Sequence, residues 1–205
     1  MSLLTALGDG ARRWIAGRTP AEHMVRGFKV VVENSRPDID PAQVIARLDE
    51  ALALLEGAAP QRVRHLRRDL RLILVVRYPC RGAYLPAERI CVTELTFLAR
   101  TDISAAVVAS SILHEGVHAR VDRFRARFGT PLVARRAADM AREERLCRRA
   151  EIAFAQTLPT ALGAPVIERA LAALALDDTG VAPVVDWTAA RARIAEVDGR
   201  APPHA

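Results

Sequence analysis

The chain has 205 residues, of which 51% are hydrophobic and 26% are charged, which is typical of a globular protein with one well-buried core. Its formal net charge of +6 comes almost entirely from arginine, and aromatic residues make up only 4% of the chain, which argues against a stacking platform for nucleic acid. No apolar run approaches the ~20 residues that a membrane helix needs. The start of the chain lacks the pattern of a signal peptide, and its three cysteines suggest no disulfide framework, so we expect a cytoplasmic protein.

The N-terminal third of the chain is predicted to be a helical scaffold. Residues 1–17 are expected to form a short amphipathic helix, and residues 20–34 a second one with Thr19 as its cap. A third helix is expected to begin at Asp40 and Pro41, because apolar residues then recur at helical spacing as far as Leu55. We assign residues 1–68 to this scaffold, packed on the rest of one compact domain.

The spacing of apolar residues changes at residue 70, where it no longer matches a helix. Residues 71–76 and 89–93 are short β-branched runs flanked by proline and glycine, which predicts a small sheet of two to four strands with Tyr84 in a connection. The predicted fold class is α+β, mostly helical, with this sheet preceding the long helix at 103–126. Residues 69–160 would form the functional core. Residues 161–205 would form a final helix at 166–176, separated from the core by Gly163 and Pro165, and a tail.

The long helix carries the pattern His-Glu-x-x-His. His114 and His118 are four residues apart, so on a helix both imidazoles lie on one face and can reach the same metal ion, with Glu115 beside them. The apolar spacing of residues 103–121 places His114 on the face that points into the core. The pattern therefore predicts a Zn²⁺ site that activates a water molecule, with Glu115 as the general base.

A third protein ligand is expected on the following helix, at 132–158. At 100° per residue, Arg142, Arg145 and Arg149 fall on one side of it, and two glutamates fall in the otherwise apolar stripe opposite. A buried carboxylate needs a cationic partner, so this stripe should face the histidines. The stripe consists of Met140, Glu144, Cys147, Glu151, Phe154 and Leu158.

Glu144 is the preferred third ligand. Glu151 is the alternative, either as the third ligand or as the acceptor of the second ring N–H of a ligating histidine. Both glutamates could instead form ion pairs with arginines such as Arg148. Cys147 is a possible soft ligand, although we favour a small buried hydrophobe at this position.

Taken together, these residues resemble the zincin metallopeptidases, in the gluzincin branch whose third ligand is a glutamate on a later helix. The resemblance rests on His114, Glu115, His118 and the downstream Glu144, covers residues 70–160, and is closest to small bacterial zincin-like domains. It implies a zinc-dependent peptidase in which an extended substrate adds to an edge strand before the motif helix, and residues 89–94 are the candidate strand. Arg120 departs from the family pattern, which usually has a hydrophobic residue there.

The favoured hypothesis is a zinc peptidase that acts on a peptide or protein substrate, with Glu115 as base and Tyr84 as a candidate donor to the developing oxyanion. One alternative is a non-enzymatic zincin-like domain that binds a protein or peptide and holds structural or vestigial zinc. Another is an arginine-rich protease associated with nucleic acid. An open coordination position beside a cleft would favour the enzyme, whereas a fourth protein ligand would favour the binding domain.

Overall fold

The computed structural model describes residues 20–128, 137–183 and 186–199. Within these ranges the chain is an α+β protein, mostly helical, with one five-stranded mixed sheet. The predicted fold class is confirmed, but the sheet is larger than the two to four strands expected, because residues 20–34 add a hairpin to it. The helix expected at residues 1–17 lies outside the described residues. None of the helices in these ranges combines the length and apolar character that a membrane crossing requires.

Three central strands of the sheet run parallel, and one antiparallel strand lies at each edge. The spatial order is β1-β2-β3-β5-β4, in which β2, β3 and β5 are parallel while β1 and β4 are the edges. Residues 89–94 were expected at an edge, but they form β5 and lie between β3 and β4. The strands are β1 (Ala21–Val25), β2 (Phe28–Val32), β3 (Leu72–Val76), β4 (Gly82–Leu85) and β5 (Ile90–Glu94).

Residues 20–34 form a β-hairpin, so the helix predicted there is wrong. Arg26 and Gly27 both have positive φ, at 47° and 74°, which is the backbone of a tight hairpin turn and is incompatible with a right-handed helix. Val30, Val31 and Val32 are buried because helices cover one face of the sheet and a second apolar cluster lies on the other. A strand that is buried on both faces shows no alternation of polar and apolar residues. The apolar residues of this segment also matched the helical period, which led to the wrong prediction.

The helical segments are α1 (Pro41–Ala58), α2 (Pro60–Asp69), α3 (Leu95–Ala99), α4 (Ala105–Arg127), α5 (Ala137–Ala155), α6 (Thr160–Leu174), α7 (Asp178–Val181) and α8 (Trp187–Gly199). The start of α1 is as predicted, since the Asp40 side chain accepts a hydrogen bond from the Ala42 N–H at 2.9 Å. Gly163 and Pro165 do not separate two helices but lie inside α6, and part of the expected tail is helical.

The main core lies between the sheet and α1, α2, α3 and α4. It contains buried residues from all of these elements, so the motif helix packs directly on the sheet. A Cβ atom on Gly116 would lie only 2.0 Å from Cδ2 of Leu66 on α2. The glycine between the two motif histidines therefore permits a close approach of α2 that fixes the position of α4.

Candidate metal centre

The motif histidines lie between α4 and α5, as the sequence predicted. His114 and Glu115 are each 7% exposed, and Ser110, one turn earlier on the same face, is fully buried. On α5, Cys147 and Glu151 are also fully buried. The faces that the helical period assigned to the interior are therefore the ones that meet.

The two imidazole rings face each other with their Nε2 atoms. Nδ1 of His114 is 2.7 Å from Oε1 of Glu151, and Nδ1 of His118 is 2.7 Å from Oε1 of Glu143. The two Nε2 atoms are 3.2 Å apart. Because a carboxylate accepts from the N–H at Nδ1, each neutral ring would present the lone pair of Nε2 to the same point.

Glu144 and Cys147 complete this cluster from α5. Oε2 of Glu144 is 3.2 Å from Nε2 of His114, and its Oε1 is 3.2 Å from Nε2 of His118. Sγ of Cys147 is 3.6 Å from Nε2 of His118. His114, His118 and Cys147 are close enough together to hold a metal ion. In a tetrahedral zinc site, N and O ligand atoms lie ~3.3 Å apart and an S and N pair lies ~3.5 Å apart. The contacts of Glu144 and Cys147 with the Nε2 atoms have these lengths, although each oxygen of Glu144 faces a different ring.

Glu151, the alternative third ligand, contacts the Nδ1 side of His114, away from the point where the Nε2 atoms converge. It also forms ion pairs with Arg148 at 2.7 Å and Arg169 at 2.9 Å, so the pairing with arginine considered for it is present. Glu151 is thus placed to orient the ring of His114 through Nδ1, so that Nε2 would face a metal ion.

Sequence reasoning missed Glu143, which is 2% exposed and bonds both His118 and Arg125. Glu143 is four residues before Cys147 and therefore ~40° away from it around α5, just beyond the edge of the apolar stripe at Phe154. Extending the inward arc by ~20° on that side would have included it.

The electrostatics of the cluster favour positive charge between the two rings. Burial, the largest influence on His114, favours its neutral form, but hydrogen bonds with Glu144 and Glu151 outweigh it and raise its pKa to about 10. Burial likewise opposes the charge of His118, but contacts with Cys147, Glu143 and Glu144 raise its pKa well above the usual value. Burial also acts against the charge of Glu144, yet the two imidazoles hold its pKa below the usual range. These shifts favour protonated imidazoles when no metal is bound.

Strand β4 runs alongside Glu115. Burial is the main cause that raises the pKa of Glu115. A Cβ atom on Gly82 would lie 3.1 Å from Oε1 of Glu115 and 3.1 Å from Oγ of Ser111. A side chain at position 82 would require these two atoms to move by a few tenths of an ångström, so glycine favours the close approach of the strand to the carboxylate.

Tyr84 lies in β4 rather than in a connection between strands. Its hydroxyl donates a hydrogen bond to Oδ2 of Asp122 at 3.3 Å, and burial raises its pKa. Tyr84 lines the same cavity as the two histidines, and a role for it as a donor to substrate stays a prediction.

A cavity of about 690 Å³ opens over the cluster. Its lining includes His114, Glu115, His118 and Glu144, and β4 forms one of its walls. The candidate base and the candidate ligands therefore face one space large enough for a peptide segment.

No family model matches this chain, and neither a curated protein nor a solved structure matches it. The resemblance to zincins therefore rests on the motif residues alone. The function of these residues is therefore inferred from the geometry of the site.

Arg120, the departure from the zincin pattern, lies away from the metal centre. Its Nη1 is 3.6 Å from Oδ2 of Asp69, a carboxylate at the end of α2 that is only 1% exposed. Arg68 and Arg123 contact the same carboxylate at 2.7 Å and 3.3 Å. Arg120 thus forms an ionic contact between α4 and α2.

Proposed function

We propose that the protein is a zinc-dependent hydrolase that cleaves peptide bonds. His114, His118 and Glu144 would hold the ion, and Glu115 would act as the base. The observation that carries the proposal is the pair of Nε2 atoms 3.2 Å apart, each ring held at Nδ1 by a carboxylate, with Glu144 facing both. Two Nε2 lone pairs at this distance repel each other unless a proton or a metal ion lies between them, and a metal ion would satisfy both rings and the carboxylate at once.

The ion would supply the Lewis acid, lowering the pKa of a coordinated water towards ~7 and polarising the carbonyl. Glu115 projects from the motif helix into the same cavity. Its raised pKa suits a group that takes a proton from water and later delivers it to the leaving amine, because a base is most effective with a pKa near the working pH.

A strand edge beside the site, which pairs with no further strand in the described part of the chain, supports a peptide as the substrate. The N–H of Glu94 donates to the carbonyl of Arg81 at 3.0 Å. Since bonded pairs alternate along an antiparallel ladder, the backbone groups of Gly82 and Tyr84 point to the free edge of β4. An extended chain could add there by main-chain hydrogen bonds, and β4 takes the role first assigned to residues 89–94.

The test compares three variants with the wild type for zinc content and for cleavage of a peptide mixture monitored by mass spectrometry. His118→Ala should lose zinc, because one ring cannot replace the pair. Glu115→Gln should keep zinc and lose at least about 100-fold in cleavage rate. Glu168→Gln, an exposed change on α6, should match the wild type in both measurements. Unchanged zinc in His118→Ala would refute the site, and persistent cleavage by Glu115→Gln would refute the base.

Cys147 supports a second candidate function, a non-enzymatic zinc domain that binds a peptide or protein. Its Sγ, 3.6 Å from Nε2 of His118, is placed to be a fourth protein ligand, which would close the coordination sphere. Substitution with Co²⁺ separates the two functions. A thiolate-to-cobalt charge-transfer band that disappears in Cys147→Ser, together with a lack of peptide cleavage, would favour the binding domain. A spectrum that Cys147→Ser leaves unchanged would favour the hydrolase.

A further inference from the structure

Three arginines line the cavity that contains the metal centre: Arg81 just before β4, Arg148 on α5 and Arg169 on α6. We call them the arginine cluster. Arg148 and Arg169 share a single carboxylate, Glu151, at 2.7 Å and 2.9 Å. That carboxylate already bonds the ring of His114. One acidic group therefore serves three cationic or potentially cationic partners.

The arginine cluster has more hydrogen-bond donors than the protein satisfies. The Nε atoms of Arg148 and Arg169 are buried and have no partner within the described residues. Across the same part of the chain, Arg81 has no carboxylate at ion-pair distance, and its guanidinium lies over the ring of Phe97 at 5.6 Å. Burial and then the positive charges of Arg169, Arg100 and Arg148 hold the pKa of Arg81 below its usual range.

The charge of the cavity favours an anionic ligand of low charge. The lining carboxylates, Glu115, Glu144 and Glu151, equal the arginine cluster in number, so a bound divalent ion would make the cavity net positive. This net charge of about +2 attracts an anion. A carboxylate brings one negative charge beside the three glutamates, whereas a dianionic phosphate would bring two and be repelled more strongly. Guanidinium groups bind carboxylates with two parallel hydrogen bonds, which adds orientation to charge.

We propose that the arginine cluster binds a carboxylate that the substrate carries close to the bond to be cleaved. The carboxylate is either the free C-terminus of a peptide or the side chain of an aspartate or glutamate. The cleavage step rests on the hydrolase proposed above, while the binding step does not. Arg81 makes the direct contact, because Arg148 and Arg169 are already partly engaged by Glu151 and position the ring of His114 through it.

The test measures binding separately from cleavage, using the zinc-loaded Glu115→Gln protein and two pairs of coumarin-labelled alanine peptides in fluorescence anisotropy. The first pair differs only in a free or amidated C-terminus. The second pair is amidated and differs only in a central aspartate or asparagine. We expect the charged member of one pair to bind about 10- to 100-fold more tightly, and that pair identifies the source of the carboxylate.

Substitution of Arg81 shows whether the preference comes from the arginine cluster or from the metal alone. Arg81→Gln should reduce the ratio of affinities within that pair to near one, and Arg81→Lys should restore part of it. Arg64→Gln, an exposed change on α2 outside the cavity, is the matched control and should keep the ratio.

Two outcomes overturn the proposal: no preference in either pair, which includes no measurable binding, or a preference that Arg81→Gln leaves intact. Failure of the hydrolase looks different. In that case the wild type cleaves no peptide, yet the preference that depends on Arg81 remains. Conversely, cleavage of charged and amidated peptides at equal rates, with equal binding, would keep the hydrolase and remove the role of the arginine cluster.

Discussion

At the scale of single residues, the candidate metal centre depends on two carboxylates that lie on the far side of the imidazole rings from the Nε2 atoms. Glu143 and Glu151 each bond one imidazole at Nδ1, and each is in turn bonded by arginine, Arg125 in the first case and Arg148 with Arg169 in the second. This arrangement fixes the tautomer and direction of each ring. The two histidines were predictable from their spacing, but the partners of their second nitrogens depend on how α5 is rotated against α4.

Glu143→Gln tests this orienting role. The amide oxygen can still accept from Nδ1 of His118, but the negative charge that strengthens the bond and balances Arg125 is lost. We expect zinc affinity to fall about 10- to 100-fold with the fold intact, measured by competition with a chelator of known affinity. Glu168→Gln is the exposed control, and equal affinity in both variants would show that Glu143 does not tune the site.

At the scale of elements, the sequence predicted the helices better than the strands. The 3.6-residue period located α1 and α5, because each of these helices has an exposed side. It also located α4, although almost all of the residues from 105 to 119 are buried. It failed for residues 20–34, since a central strand buried on both faces has no alternation. It also failed at Gly163, which looked like a helix break, although it lies within α6.

Gly163 permits a close approach of α6 to the end of α5. A Cβ atom there would lie 2.3 Å from the carbonyl oxygen of Ala155. Gly163→Ala should therefore destabilise the protein by about 1–3 kcal/mol, despite the better helix propensity of alanine. Gly57→Ala in α1, where a Cβ atom meets nothing within 4 Å, should be neutral or stabilise by about 0.5–1 kcal/mol.

Urea unfolding followed by circular dichroism gives the two free energies of unfolding on the same scale. Stabilisation by both alanine substitutions would mean that α6 can move away from Ala155 at no cost. In that case Gly163 would not be needed for the contact between the two helices.

At the scale of the whole molecule, zinc binding and proton release should be coupled. The pKa of His114 is raised to about 10 and that of His118 well above its usual value, which favours protonated rings at neutral pH when no metal is bound. We expect zinc to displace a proton from each ring. Affinity should therefore fall as the pH falls, by about 100-fold per pH unit below the pKa values, because two protons leave for each ion bound.

Chelator competition at pH 6.5, 7.5 and 8.5 measures this slope, and titration calorimetry in two buffers of different ionisation enthalpy counts the protons directly. A slope nearer three protons would add the thiol of Cys147 to the ligands. A slope near zero would show that the rings are neutral in the metal-free protein, contrary to the geometry around Glu144.

The buried carboxylate of Asp69 helps to set the direction in which the two imidazoles point. Arg120 and Arg123 lie roughly opposite the histidines around α4, at ~180–240° when His114 is taken as zero. Their contacts with Asp69, at 3.6 Å and 3.3 Å, resist any turn of the helix about its own axis. The orientation of the two histidines thus depends partly on contacts at the opposite side of α4, at positions that the His-Glu-x-x-His motif does not include.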